Sequence, residues 1–126
     1  MKKILVFLCI ALSQTTFAIP NYHENQTAVL KGKIQVLKGL EDTYPGAEHD
    51  RYPAISLNQS IIVDTIEGKV TTRLLQLADL TGKNVIPKSF YKNIGKPLTV
   101  TCKGFYHSDN AHHITKALCQ VTKVSF

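Results

Sequence analysis

From Ala28 to Leu37 apolar and polar residues alternate, with Leu30, Gly32, Ile34 and Val36 on one face and Val29, Lys31, Lys33 and Gln35 on the other. A period of two marks a half-buried β-strand. A second such run, Ala54 to Asp64, carries Ile55, Leu57, Ile61, Ile62 and Val63, with an interruption at Asn58-Gln59. A third, Val70 to Ala78, carries Leu74, Leu75 and Leu77, and Thr65-Ile-Glu-Gly68 turns the chain between the two. Residues 39–53 contain Asp42, Pro45-Gly46, Asp50 and Pro53 and read as a long loop, whereas the polar stretch Asn21 to Gln26 reads as a loose arm. The period changes at Pro87, where Phe90, Tyr91 and Ile94 make one apolar side of a short helix. Proline at its first turn and Gly95 just past its end set its limits. Two further strand-like runs, Pro97 to His107 and Ile114 to Val124, flank the turn-rich segment Ser108 to His113.

This order predicts an all-β fold with one short helix. Strand, long loop, strand, strand, helix, strand, strand is the order of a five-stranded OB-like Greek-key barrel with its helix between strands 3 and 4. A small open α+β sheet with the same elements is the alternative. An antiparallel hairpin folded between Asn110 and Ala111 places Cys102 opposite Cys119, close enough to bridge. The same register sets Val100 against Val121, Gly104 against Ala117 and Tyr106 against Thr115, a small and mostly apolar face suited to a barrel interior. Gly104 fits the bend of a strand wrapping a small barrel, and Thr101, Lys103 and Phe105 fall on the more solvent-tolerant face. The two cysteines read as a disulfide, with two buried thiols packed side by side as the alternative.

The N-terminus bears on that choice. Met1-Lys-Lys3 is a short basic start, Ile4 to Leu12 is an apolar run too short for a stable transmembrane helix, and Thr16-Phe17-Ala18 is a small-x-small pattern. Residues 1–18 therefore read as a secretory signal peptide, and 19–126 as a single domain of 108 residues. Cys9 sits within the apolar run after Leu8, which does not suit lipidation, and it departs with the signal. The exported chain then keeps an even pair, as oxidising compartments favour. The expected location is periplasmic or secreted, without stable membrane insertion. Setting aside Lys2 and Lys3 leaves 13 basic and 9 acidic side chains, a net +4. The basic residues are scattered, so the charge permits an anionic partner without demanding one, and nucleic acid is not the expected partner.

Chemistry concentrates in two loops. In an OB barrel the loops joining strands 1–2 and 4–5 flank the ligand-binding face. Here the first carries Tyr44, His49, Asp50, Arg51 and Tyr52, and the second carries His107, Asp109, Asn110, His112 and His113; four of the five histidines lie in these two loops. The tyrosine rings suit stacking on a sugar or base, and Arg51 suits a carboxylate or phosphate. The plainer reading is that loops are polar and that Tyr52, Tyr106 and a histidine close the barrel end. His107 and His112 flank the turn, and Asp109 or His49 would complete a zinc shell, but adjacent His112 and His113 point to opposite sides of a strand and no HExxH spacing occurs. No metal or cofactor is expected. With no GxSxG element, no phosphate-binding loop and no free cysteine, no enzymatic role is expected.

The run Gly95-Lys-Pro-Leu-Thr-Val-Thr-Cys-Lys-Gly-Phe-Tyr-His107, followed by Ala111-His-His-Ile-Thr115, resembles a family of small exported bacterial domains of unknown function. Tyr52-Pro-Ala-Ile-Ser-Leu57 is similar to the start of that family's second strand. The resemblance spans most of the chain after the signal and implies an exported OB-like domain without implying an activity. The expectation is an exported non-catalytic binding protein. Its ligand is an oligosaccharide or other anionic polymer held at the rim of loops 39–53 and 107–113 by Tyr44, His49, Arg51, Tyr52, His107, His112 and His113. The alternative is a secreted protein-interaction factor, an effector or inhibitor acting on a protein partner.

Overall fold

The computed structural model describes residues 18–126; the signal-peptide reading of 1–18 falls, but for Ala18, outside them. Six strands form: β1 (Asn21–His23), β2 (Ala28–Lys38), β3 (Arg51–Thr65), β4 (Gly68–Ala78), β5 (Pro97–His107) and β6 (Ala117–Ser125). β2 pairs antiparallel with β3 and β5, β3 with β4, and β5 with β6. β4 and β6 then pair in parallel through Gln76–Leu118, Leu77–Cys119 and Ala78–Gln120, which closes β2 to β6 into a five-stranded barrel.

The period-two pattern explains what faces in. Ala28, Leu30, Gly32 and Ile34 of β2 are buried while Val29, Lys31 and Lys33 are exposed. Ile34, Ile55, Val63, Leu75, Val100 and Val121 are fully buried, and together these β-branched and leucine side chains fill the barrel. The interruption read at Asn58-Gln59 is a bulge: the β3–β4 register shifts between Ser56 and Ile61, which lets the 15-residue β3 bend around the barrel.

Five expectations are corrected. The segment 87–94 is not an α-helix; among the described residues only 3-10 turns occur, at Ala47–His49 and Lys88–Lys92. With Gly95 so close behind, there is room for one tight turn, whose purpose is to bury Phe90 completely in the core. The arm at Asn21 is not loose, because Asn21–His23 adds to β3 as a short parallel strand. The β5–β6 hairpin is out of the predicted register: Val100 faces Val124, Gly104 faces Gln120 and Tyr106 faces Leu118, and β6 begins at Ala117, not Ile114. The connecting loop is longer than the turn signals suggested, and extra residues at Thr122 and Lys103 bulge out of the ladder. Phe105, placed on the outer face by strict alternation, is only 3 % exposed. The bulge at Lys103 resets the alternation, and Tyr22 of β1 stacks on its ring at 5.6 Å. Gly104 is required less for bending than for clearance, since a Cβ there would strike the Glu24 carbonyl of the arm.

The disulfide nonetheless forms. Cys102 faces Val121, so Cys119 lies two residues along on the same face, a diagonal neighbour with the Cα atoms 5.4 Å apart. Both cysteines are fully buried. The bridge spans 17 residues and fastens the hairpin that carries the long 108–116 loop. Replacing both cysteines by alanine is expected to lower unfolding free energy by about 3 kcal/mol. Urea denaturation of the oxidised protein and the variant measures it, and an unchanged midpoint would show that the bridge contributes nothing.

Candidate functional site

Loop 39–50 is tied at its base by a hydrogen bond from Gly39 N–H to Asp50 O (3.0 Å). Ala47, in its 3-10 turn, is fully buried, and its carbonyl packs so closely on Gly39 that a Cβ there would overlap it. The Arg51 guanidinium donates to the carbonyls of Glu48 and Asp50, both at 2.9 Å. These contacts point Tyr44, Asp50 and Tyr52 at one place.

Loop 108–116 arrives there from the other half of the chain. Ser108 N–H bonds Lys116 O (2.8 Å), and His112 N–H bonds the Asn110 side-chain oxygen (2.8 Å), an Asx turn that presents the His112 ring. The outer anchor is Gln76, a polar residue only 4 % exposed at the point where β4 pairs with both β3 and β6. Its amide donates to His112 O (2.9 Å) and accepts from Ile114 N–H (2.6 Å), while its own N–H bonds Thr115 Oγ1 (3.1 Å). Gln76 was not singled out in the sequence; the available signal was a glutamine between Leu75 and Leu77 in an otherwise apolar strand end.

At the meeting point Tyr44 Oη bonds the Asp50 carboxylate, the two phenol oxygens lie 2.9 Å apart, and Tyr52 Oη lies 2.8 Å from His112 Nδ1. One arrangement gives each of these three contacts its own proton. His112 Nδ1–H donates to Tyr52, Tyr52 O–H donates to Tyr44, and Tyr44 O–H donates to Asp50. The remaining pairs, Tyr44 to His112 at 3.2 Å and Tyr52 to Asp50 at 3.3 Å, are the longer diagonals of the cluster. The His112 ring also lies against Tyr44, centroids 4.9 Å apart. Burial, then the Asp50 charge and its hydrogen bond, push the Tyr52 phenol above its ordinary pKa.

Of the seven predicted site residues, Tyr44, Tyr52 and His112 thus come together. Arg51 is engaged with the loop backbone. His49 is exposed beside Glu48, 3.4 Å away. His107 turns to Glu67 in the β3–β4 turn (2.9 Å). The His113 side chain is 12 % exposed, sets its ring edge-on to Tyr106 and has Nδ1 3.0 Å from Asp109 N, so it holds the loop together. Among the described residues no group of three or more His, Cys, Asp or Glu side chains is arranged to hold a metal ion. The cluster offers hydrogen-bonding groups and aromatic surface at an open rim.

A DUF4431 domain, a domain of unknown function, is found at residues 74–125. The match is narrower than the resemblance seen in the sequence. It takes in Gln76, both cysteines and His112 but leaves Tyr44, Asp50 and Tyr52–Leu57 outside. No curated protein and no solved structure matches the chain.

Gln76→Leu would keep the packing volume but leave His112 O and Ile114 N–H without their partner. The expected cost is about 1–3 kcal/mol of stability, with amide exchange accelerated across residues 110–116. Exchange measured by NMR would show the anchor to be unimportant if those amides stayed as protected as before. Tyr52 titration gives a second expectation. The folded state holds the phenolic proton more tightly than the unfolded state, so this contribution to stability is full below pH 10 and is lost as pH rises through the higher folded-state pKa. Ultraviolet titration of the tyrosines should show Tyr52→Phe deleting a late-ionising group, and Asp50→Asn should move that group back toward the ordinary value.

Proposed function

We propose that this chain is an exported, non-catalytic binding protein of the OB type that takes an oligosaccharide at the rim made by loops 39–53 and 107–113. The strand pairing supports the OB reading. Counting the barrel strands from β2, the first pairs with the second and fourth, and the third and fifth run in parallel, with a 3-10 turn between the third and fourth where that fold carries its helix. The signal-like N-terminus and the buried Cys102–Cys119 bridge support export. No helix among the described residues is long and apolar enough to cross a membrane.

The observation that carries the binding role is the convergence of Tyr44, from loop 39–50, and Tyr52, at the start of β3, with His112 of a loop some 60 residues further along the sequence. Aromatic faces accept the C–H surface of a sugar ring, while phenol, imidazole and carboxylate groups exchange hydrogen bonds with its hydroxyls. The rim also carries Glu41, Asp42, Glu48, Asp50 and Asp109. That density of carboxylates favours a neutral sugar over an anionic polymer at this site.

A protein partner is the second reading, and one feature favours it. Tyr91, Ile94 and Phe126 are 41, 57 and 50 % exposed, and the rings of Tyr91 and Phe126 both touch buried Phe90. Exposed apolar side chains gathered in this way suit a protein contact.

Backbone-amide NMR during titration with malto-, cello- and chito-oligosaccharides tests the rim. Shifts should concentrate at residues 44–52 and 110–114, and the double variant Tyr52→Phe, His112→Ala should bind at least about tenfold more weakly. Shifts confined to residues 88–94 and 126, or none with any sugar of the panel, would remove the rim reading.

A further inference from the structure

Among the nine carboxylates of the chain, none lies on β2, β5 or β6. These three strands are neighbours in the barrel and carry Lys31, Lys33, Lys38, Lys103 and Lys123. The acidic side chains therefore lie off this wall, whereas five of the eleven lysines among the described residues lie on it.

The pairing register arranges part of that wall into a site. Val29, Thr101 and Lys123 lie side by side across the three strands, and Lys31, Thr99 and Ser125 form the next outward-facing row. These six residues line a groove of about 430 Å³. Lys31 also lines two adjoining grooves of about 410 and 490 Å³, the latter reaching Lys96. No Asp or Glu side chain lines any of the three.

We propose that the outer wall of β2, β5 and β6 is a binding surface for an extended anionic polysaccharide, separate from the rim and independent of the sugar reading made there. Lysine ammonium groups act as point charges for carboxylate or sulfate groups, and the hydroxyls of Thr99, Thr101 and Ser125 both donate to and accept from sugar hydroxyls. Three grooves joined at Lys31 fit a chain of linked units better than a compact ion. The central groove has no aromatic side chain, and the one aromatic residue lining each flanking groove is already packed, Tyr22 on Phe105 and Phe126 against Phe90, which disfavours single-stranded nucleic acid. Its one prominent apolar side chain is Val29, 62 % exposed, which gives little to bury in a lipid surface.

The test uses the purified protein with two probes, a heparin octasaccharide for sulfated chains and an oligogalacturonate for carboxylated ones. A neutral dextran oligomer and phosphatidylglycerol vesicles serve as comparators. Binding of either charged sugar should weaken as ionic strength rises through about 0.15 M. Lys31→Ala with Lys123→Ala should weaken it at least about fivefold, with the thermal midpoint unchanged. Lys69→Ala with Lys83→Ala removes the same charge elsewhere and should have little effect. Tyr52→Phe with His112→Ala should leave binding of the charged sugars intact, so failure at the rim and failure at the wall are read separately. The proposal is overturned if neither charged sugar binds, if the dextran binds equally well, if the control pair weakens binding as much as the wall pair, or if only the vesicles bind through Lys31 and Lys123.

Discussion

Between Leu74 and Ala78, β4 hydrogen-bonds to β3 on one side and, in parallel, to β6 on the other. A parallel pair cannot be joined by a tight turn. The chain therefore runs from β4 through the Lys88–Lys92 turn and the whole of β5 before β6 returns beside it. That detour produces the barrel. It also sets Gln76 against the start of β6, where one buried amide holds loop 108–116 by its backbone. His112 reaches Tyr52 because of this closure, so the candidate site depends on a pairing far from any residue that looks functional in the sequence.

The N-terminal arm is the second constraint. β1 lies parallel to β3, and Glu24 beyond it accepts a hydrogen bond from Phe105 N–H (2.7 Å) while its carboxylate accepts one from Ile66 N–H (3.2 Å). The arm thereby covers the bulged part of β5, and its Tyr22 packs on the ring of Phe105, which the bulge has turned out of its expected outward position. A bulge in the hairpin, a glycine opposite the arm and an aromatic residue beside it are thus parts of one local solution.

The strands were legible because alternation reports burial directly, and β2 follows its expected faces from Ala28 to Ile34, after which Gln35, Val36 and Leu37 are all half-buried. The disulfide partners were legible as a pair, but for a reason only partly right. Symmetry about Asn110 assumed an unbroken ladder and a short turn, whereas the hairpin has two register shifts and a nine-residue connection. The bridge survives because a shift of two keeps Cys119 on the same face as Cys102. Loop composition singled out the two segments whose side chains meet. It did not distinguish Tyr44, Tyr52 and His112 from Arg51 and His113, because that difference is set by where each side chain finds a partner. Arg51 finds carbonyls of its own loop, and His113 finds Tyr106 and Asp109. β1 was missed because a three-residue strand has too few positions to show a period.

The charges complete the architecture. Carboxylates suit loops because a carboxylate there is solvated or, like Asp50, accepts from a phenol. Lysines suit the outward positions of strands because their stems cover the sheet while the ammonium stays in water. Both preferences are ordinary, yet together they leave the β2–β5–β6 wall without an acidic side chain. The rim gathers phenol, imidazole and carboxylate groups, and the β2–β5–β6 wall carries lysines and no acidic side chain. On the binding roles proposed above, a polar and neutral ligand would lose least by desolvation at the first surface, whereas a ligand with repeated negative charge would gain most at the second. Two surfaces of opposite character on one small barrel therefore follow from where its strands end and its loops begin.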